Sequence, residues 1–103
     1  GTAIRFKGSR NMININQRIV KTTGSISRII EQEAIVILPA QGQVKVLSEV
    51  GARIWDLVDG QRTISDLIDI ICEEYEVKRE EVEKDTMDFV QRLIDVQLLE
   101  IAT

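Results

Sequence analysis

The chain has no histidine, one cysteine and few aromatic residues, namely two phenylalanines, one tyrosine and one tryptophan. Without histidine, both the usual proton shuttle and the commonest metal ligand are missing. A single thiol, Cys72, excludes an intramolecular disulfide and any cage of cysteines for zinc or an iron–sulfur cluster. Ser-His-Asp and Cys-His nucleophile systems cannot be assembled. No Gly-x-Gly-x-x-Gly or Gly-x4-Gly-Lys-Ser/Thr stretch offers a cradle for phosphates. The longest strictly aliphatic run, Ala34–Leu38, is far below the ~18 residues of a membrane span. No signal-peptide pattern opens the chain, and a lone thiol fits a reducing compartment. These absences lead to the expectation of a cytoplasmic, non-catalytic module with no cofactor, no metal and no membrane partner.

What is present fits one globular domain. The 103 residues are 44% hydrophobic and 29% charged, and 13 basic against 17 acidic side chains give a net charge of −4. The charge is uneven. Residues 1–47 carry seven basic and two acidic side chains (+5), and residues 48–103 carry six and fifteen (−9). The hydrophobic period changes at the same place.

Up to Leu47 the texture is that of strands. Ile26, Ile29 and Ile30 form a β-branched run, with Glu31-Gln32-Glu33 as a turn after it. Ala34–Leu38 is continuously apolar, as in a central strand covered on both faces or nearly so. Pro39-Ala40-Gln41-Gly42 reads as a turn, and Gln43-Val44-Lys45-Val46-Leu47 alternates like a half-exposed strand. Three short strands in an antiparallel meander are the simplest assembly. Before them, residues 1–18 read as an N-terminal arm with scattered apolar side chains, and residues 19–103 as the domain.

After Leu47 the period becomes helical. Ser48 is placed to cap a first helix striped by Val50, Ile54, Leu57 and Val58, with Gly60 just past its end. Thr63-Ile64-Ser65-Asp66 resembles a capping box with Asp at its fourth position, opening a helix faced by Ile64, Leu67, Ile68, Ile71 and Tyr75. A third helix begins near Glu80 and runs to about Val96, striped by Val82, Thr86, Phe89, Val90, Leu93 and Ile94. Leu98, Leu99 and Ile101 close the chain as a strand or a packed tail. The order β-β-β-α-α-α predicts an α+β fold: a three-stranded antiparallel sheet followed by a three-helix bundle.

Several charged groups compete for attention. The carboxylates of the third helix have the spacing of a solvated face, with Glu80→Lys84 and Asp88→Arg92 as i,i+4 pairs. Cys72 reads as a small core hydrophobe, since no His or second Cys stands near it to activate it. The basic side chains Arg5, Lys7, Arg10, Arg18, Lys21 and Arg28 are spread without aromatic interleaving, and the third helix is acidic, so nucleic acid is disfavoured. Strand 43–47 is more informative. At the edge of a meander it offers unpaired N–H and C=O groups, with Lys45 its only charge, and such an edge suits an added peptide strand.

The stretch from Val46 through Leu67 resembles the heart of the PqqD family. It has a strand ending in Leu47, a Ser48 cap, small residues at Gly51-Ala52, then Ile54-Trp55 and Asp59-Gly60-Gln61-Arg62-Thr63. Tyr75-Glu76-Val77, Glu80–Asp85 and Phe89-Val90-Gln91-Arg92-Leu93 are similar to its third-helix segment. The likeness covers about residues 19–100. Two positions depart from it: Lys45-Val46 stands where many relatives carry an aromatic residue before the Leu, and Gln97 stands where they carry Gly or another small residue.

The resemblance implies a small winged-helix-like domain that recognises ribosomally made, post-translationally modified peptides. Members bind the leader of a precursor peptide along the third strand, against the third helix. They present it to a modifying enzyme, a radical S-adenosylmethionine protein in pyrroloquinoline quinone synthesis or a leader peptidase in lasso-peptide systems. The peptide-binding residues expected here are Gln43, Val44, Lys45, Val46 and Leu47, with Asp85, Met87, Asp88, Phe89 and Arg92. Val44, Val46, Met87 and Phe89 are expected to form apolar pockets, and Asp85, Asp88 and Arg92 to set register. The competing readings are a winged-helix DNA-binding protein and a homodimer joined through the edge strand.

Overall fold

A computed structural model describes residues 13–102; the earlier part of the expected arm, and the cap expected from the Ser48 side chain, lie outside what it describes. The elements are β1 (Arg18–Lys21), β2 (Ile26–Ile30), β3 (Glu33–Leu38), a 3-10 turn (Pro39–Gln41), β4 (Gln43–Ser48), α1 (Glu49–Leu57), α2 (Ile64–Glu74), α3 (Arg79–Asp95) and β5 (Leu99–Ala102). Strands β2, β3 and β4 form the expected antiparallel meander, in that order, and three helices follow it.

The sheet has one covered face. On β3, Ala34, Val36 and Leu38 are buried while Ile35 and Ile37 are half-buried. The continuous apolar run thus marks a strand buried on its helix face and partly covered on the other. Directly paired residues project on the same face. The register Ile26↔Ile37↔Val44 and Arg28↔Ile35↔Val46 thus places these side chains together on the outer face. The pairings Val36↔Lys45 and Ala34↔Leu47 put Lys45 and Leu47 on the helix side.

Three helix boundaries have clear local causes. Thr63 opens α2 with both halves of a capping box: Asp66 N–H donates to Thr63 Oγ1 (3.1 Å), and Thr63 N–H donates to Asp66 Oδ2 (3.0 Å). In the turn before it, Asp59 Oδ1 accepts from the backbone N–H groups of Gln61 and Arg62, both at 2.9 Å. Arg62 Nη1 in turn donates to Asp59 Oδ2 (3.1 Å) and to the Leu57 carbonyl (3.0 Å). These backbone bonds, Arg62 first, hold the Asp59 carboxyl below its ordinary range. The Asp59-Gly60-Gln61-Arg62-Thr63 signature is thus a hydrogen-bonded turn, in which Gly60 takes φ +81. At the other end of the bundle, α3 closes in a Schellman motif. Gln97 N–H donates to Ile94 O (2.9 Å) and Leu98 N–H donates to Leu93 O (2.8 Å), with Gln97 at φ +66.

The core fills the space between sheet and helices, with Ile19, Val36, Trp55, Ile64, Leu67, Ile68, Leu93, Leu98 and Leu99 fully buried. Cys72 is half-buried at its margin. Two short strands extend the predicted order. β1 pairs antiparallel with β5, from Arg18↔Ala102 to Lys21↔Leu99, and closes the two ends of the domain on each other. Ahead of β1, Ile15 O accepts from Ser65 N–H (2.7 Å) and Gln17 O from Ile64 N–H (3.0 Å), so this stretch crosses the start of α2. Among the described residues no helix is long and apolar enough to cross a membrane, and no group of three or more His, Cys, Asp or Glu is arranged to hold a metal ion.

Candidate peptide-binding groove

β4 is bonded on one side only: among the described residues its ladder partner is β3, and its other edge is open. Val44 and Val46 are 62% and 63% exposed, and Lys45 is exposed too, an unusual run for a strand that completes a sheet. The strand is nevertheless well anchored. Leu47 is buried beneath it, and Gln43 Nε2 donates to the Val96 carbonyl at the end of α3 (2.9 Å), which fixes β4 alongside that helix.

Two clefts line the angle between β4, the start of α1 and α3. The first, about 350 Å³, is bordered by Lys45, Val46, Leu47, Gly51, Phe89 and Arg92. The second, about 240 Å³, continues from it between α1 and α3, where Val50, Ile54, Tyr75, Val82 and Phe89 supply apolar walls and Asp85 stands at the rim. Gly51, Phe89 and Arg92 belong to both, so the clefts are neighbouring parts of one groove. Gly51 is what lets the Phe89 ring approach α1 so closely: a Cβ there would sit 3.0 Å from Phe89 Cε1. Arg92 and Lys45 make no ion pair among the described residues.

Of the residues expected at the site, the groove gathers Lys45, Val46, Leu47, Asp85, Phe89 and Arg92. Gln43 lies at the end of the strand, occupied with Val96. Val44 projects from the outer face of the sheet, as does Val46, which also borders the groove from the edge. Met87 and Asp88 line a separate cleft of about 430 Å³ with Ile13, Gln91 and Arg92. Met87 precedes Phe89 by two residues and is turned about 160° away from it around the helix. The i,i+4 pairs Glu80–Lys84 and Asp88–Arg92 do not form. Exposed pairs of that kind contribute only ~0.3–0.5 kcal/mol, too little to hold two long side chains together. Two ion pairs instead tie elements to one another: Arg53 with Glu74 joins α1 to α2 (2.7 Å), and Arg79 with Asp69 joins α3 to α2 (2.8 Å).

Sequence reasoning missed Gly51, Val50, Ile54, Tyr75 and Val82 as groove residues. Their apolar periodicity places Val50, Ile54 and Tyr75 on helix stripes facing the core; Ile54 is buried there, while Val50 and Tyr75 are half-buried along the cleft between α1 and α3. The small residue at Gly51 was the available signal.

Residues 33–99 match the family of coenzyme PQQ synthesis protein D (PqqD). The chain belongs to the PqqD family. Among solved structures, TbiB1 in complex with the TbiA(beta) leader peptide is 33% identical over 79% of this chain and 94% of that one, with a TM-score of 0.74. Lasso peptide synthetase B1 complexed with its leader peptide is 17% identical over 81% of this chain and 98% of that one, with a TM-score of 0.72. The PqqD truncation of Methylobacterium extorquens PqqCD, a functional and stand-alone RiPP recognition element, is 19% identical over 89% of this chain and 98% of that one, with a TM-score of 0.74. The last two likenesses concern the fold. No curated protein matches the chain. In PqqD terms, the edge strand of the meander and the third helix of the family are β4 and α3, the two walls of the groove.

Proposed function

We propose that this PqqD-family chain is a non-catalytic recognition module that binds the leader of a ribosomally made precursor peptide as an added strand on β4. It then holds that peptide for a modifying enzyme, in the cytoplasm where such precursors are made. The observation that carries the reading is the open edge of β4 beside an apolar groove, in a chain one-third identical to TbiB1, a protein seen with a leader peptide. Nucleic acid is a poor alternative occupant, because Glu80, Glu81, Asp85 and Asp88 are exposed on α3 and repel phosphates.

Magnitudes require both walls of the groove. Four or five backbone bonds at ~0.5–1.5 kcal/mol net each give a few kcal/mol. Micromolar binding corresponds to about −8 kcal/mol. Burial of one or two large apolar side chains, at ~1.5–3 kcal/mol each, closes much of that gap. The cleft between α1 and α3 is the place for them.

The test is an N-methyl scan of a bound leader peptide, with affinity read by calorimetry. Strand addition turns alternate N–H groups of the peptide toward β4. Methylation is therefore expected to abolish binding at every second residue across the paired stretch and to be tolerated in between. Affinity that is indifferent to methylation throughout would rule out strand addition.

A further inference from the structure

Although the protein is acidic overall, the part of the groove nearest β4 is a cationic island. Lys45 projects toward the helices, because it pairs with fully buried Val36, and Arg92 approaches the same cleft from α3. Both are exposed and neither has an ion-pair partner among the described residues. The adjoining cleft is walled by apolar side chains. Asp85 stands at its rim, seven residues before Arg92 and thus about 10 Å back along the helix. The groove therefore has a direction, cationic near β4 and acidic at its far rim.

We propose that this groove selects leader strands bearing a bulky apolar side chain with an Asp or Glu two residues away. The apolar side chain enters the cleft between α1 and α3, and the carboxylate lies between Lys45 and Arg92. The inference rests on the leader-binding reading and adds the chemistry of the ligand to it. The spacing follows from strand geometry: side chains on one side of an added strand recur every second residue, about 7 Å apart, so consecutive same-side residues are placed to enter two adjoining clefts that share Gly51, Phe89 and Arg92. A strand docked the opposite way sets its carboxylate toward Asp85, where like charges repel. Lys45 and Arg92 thus act as specificity residues, choosing sequence and orientation, while the apolar cleft supplies most of the affinity. Exposed ion pairs are weak, so neutralising either cation is expected to lower affinity about threefold, and reversing both more than tenfold.

A random library of 12-residue peptides displayed against the full chain, and against its Lys45→Glu/Arg92→Glu variant, tests this directly. Both substitutions are at exposed positions, and a dispersed amide spectrum verifies that the variant folds; Arg92→Gln alone serves if it does not. On the native chain, enriched peptides are expected to share a bulky apolar residue with Asp or Glu two positions away. On the variant, that position is expected to become Lys or Arg. An acidic peptide selected on the native chain is expected to lose more than tenfold in affinity for the variant, or about threefold for Arg92→Gln. Peptides that perturb β4 amides but show no acidic preference, or that bind native and variant chains equally, overturn the charge selection and leave the leader reading standing. Failure to enrich any peptide that perturbs β4 overturns both.

Discussion

Gly51 and Phe89 set the shape of the groove through a single contact. Replacing Gly51 by Ala removes a glycine from a helix, worth about 1 kcal/mol in favour of folding. The new Cβ meets the half-buried Phe89 ring at 3.0 Å and pushes it into the groove. The two effects offset one another in stability but not in binding. Gly51→Ala is expected to leave the melting temperature within a few degrees of the native value while weakening peptide affinity several-fold, as calorimetry would show. Gln97 carries the opposite lesson. It occupies the left-handed position of the Schellman motif at φ +66, where a side chain costs roughly 1 kcal/mol. Gln97→Gly should raise the melting temperature by several degrees. A fall would show that the Gln97 side chain contributes contacts that outweigh its strain. At this scale the sequence was partly legible: the Thr63/Asp66 capping box was readable from its spacing, and Gln97 stood out against the family pattern. The conformation that makes glycine usual there became clear only from the hydrogen bonds around it.

Among the elements, the turn between α1 and α2 shows how a motif becomes a structure. Asp59 binds two backbone N–H groups and the Arg62 guanidinium, and its carboxyl is held below its ordinary value of 3.8. The sign of the pH effect follows. The unfolded chain takes up this proton at higher pH than the folded one, so stability from Asp59 is complete above about pH 4 and fades as pH falls through the lower folded value. Asp59→Asn is expected to reduce stability at neutral pH and to flatten the acid limb, measured by urea unfolding from pH 7 to pH 3. An unchanged acid limb would show that the charge is not what holds the turn. The three helices and β2 to β4 were legible because their apolar periods differ and because Gly, Pro and Thr punctuate them. β1 was not. Its four residues, Arg18–Lys21, are too few to show a period, and their partner β5 lies at the other end of the chain. Alternation in β4 likewise showed that Val44 and Val46 share a face. It did not show which face meets the helices, and only the register with β3 settles that Lys45 and Leu47 do.

For the molecule as a whole, the outer edges of β2 and β4 are both unpaired among the described residues, and it is β4 that lies beside the groove and is fastened from behind. β1 and β5 join the ends, Arg53 and Arg79 tie α1 and α3 to α2, and Gln43 ties β4 to the end of α3. A peptide adding to β4 as proposed would meet a strand already held in place, which limits the ordering cost of binding. A second copy of the chain could pair with the same edge, so peptide and self-association are expected to compete there. The most direct test is an amide NMR titration of the protein with peptides from short reading frames encoded beside its gene, at a concentration where its mass is monitored. Saturable shifts concentrated at Gln43–Leu47, Gly51 and Asp85–Arg92 are the result this account expects. Saturable binding with shifts confined to other surfaces, or no binding by any such peptide while the chain remains monomeric, would contradict it.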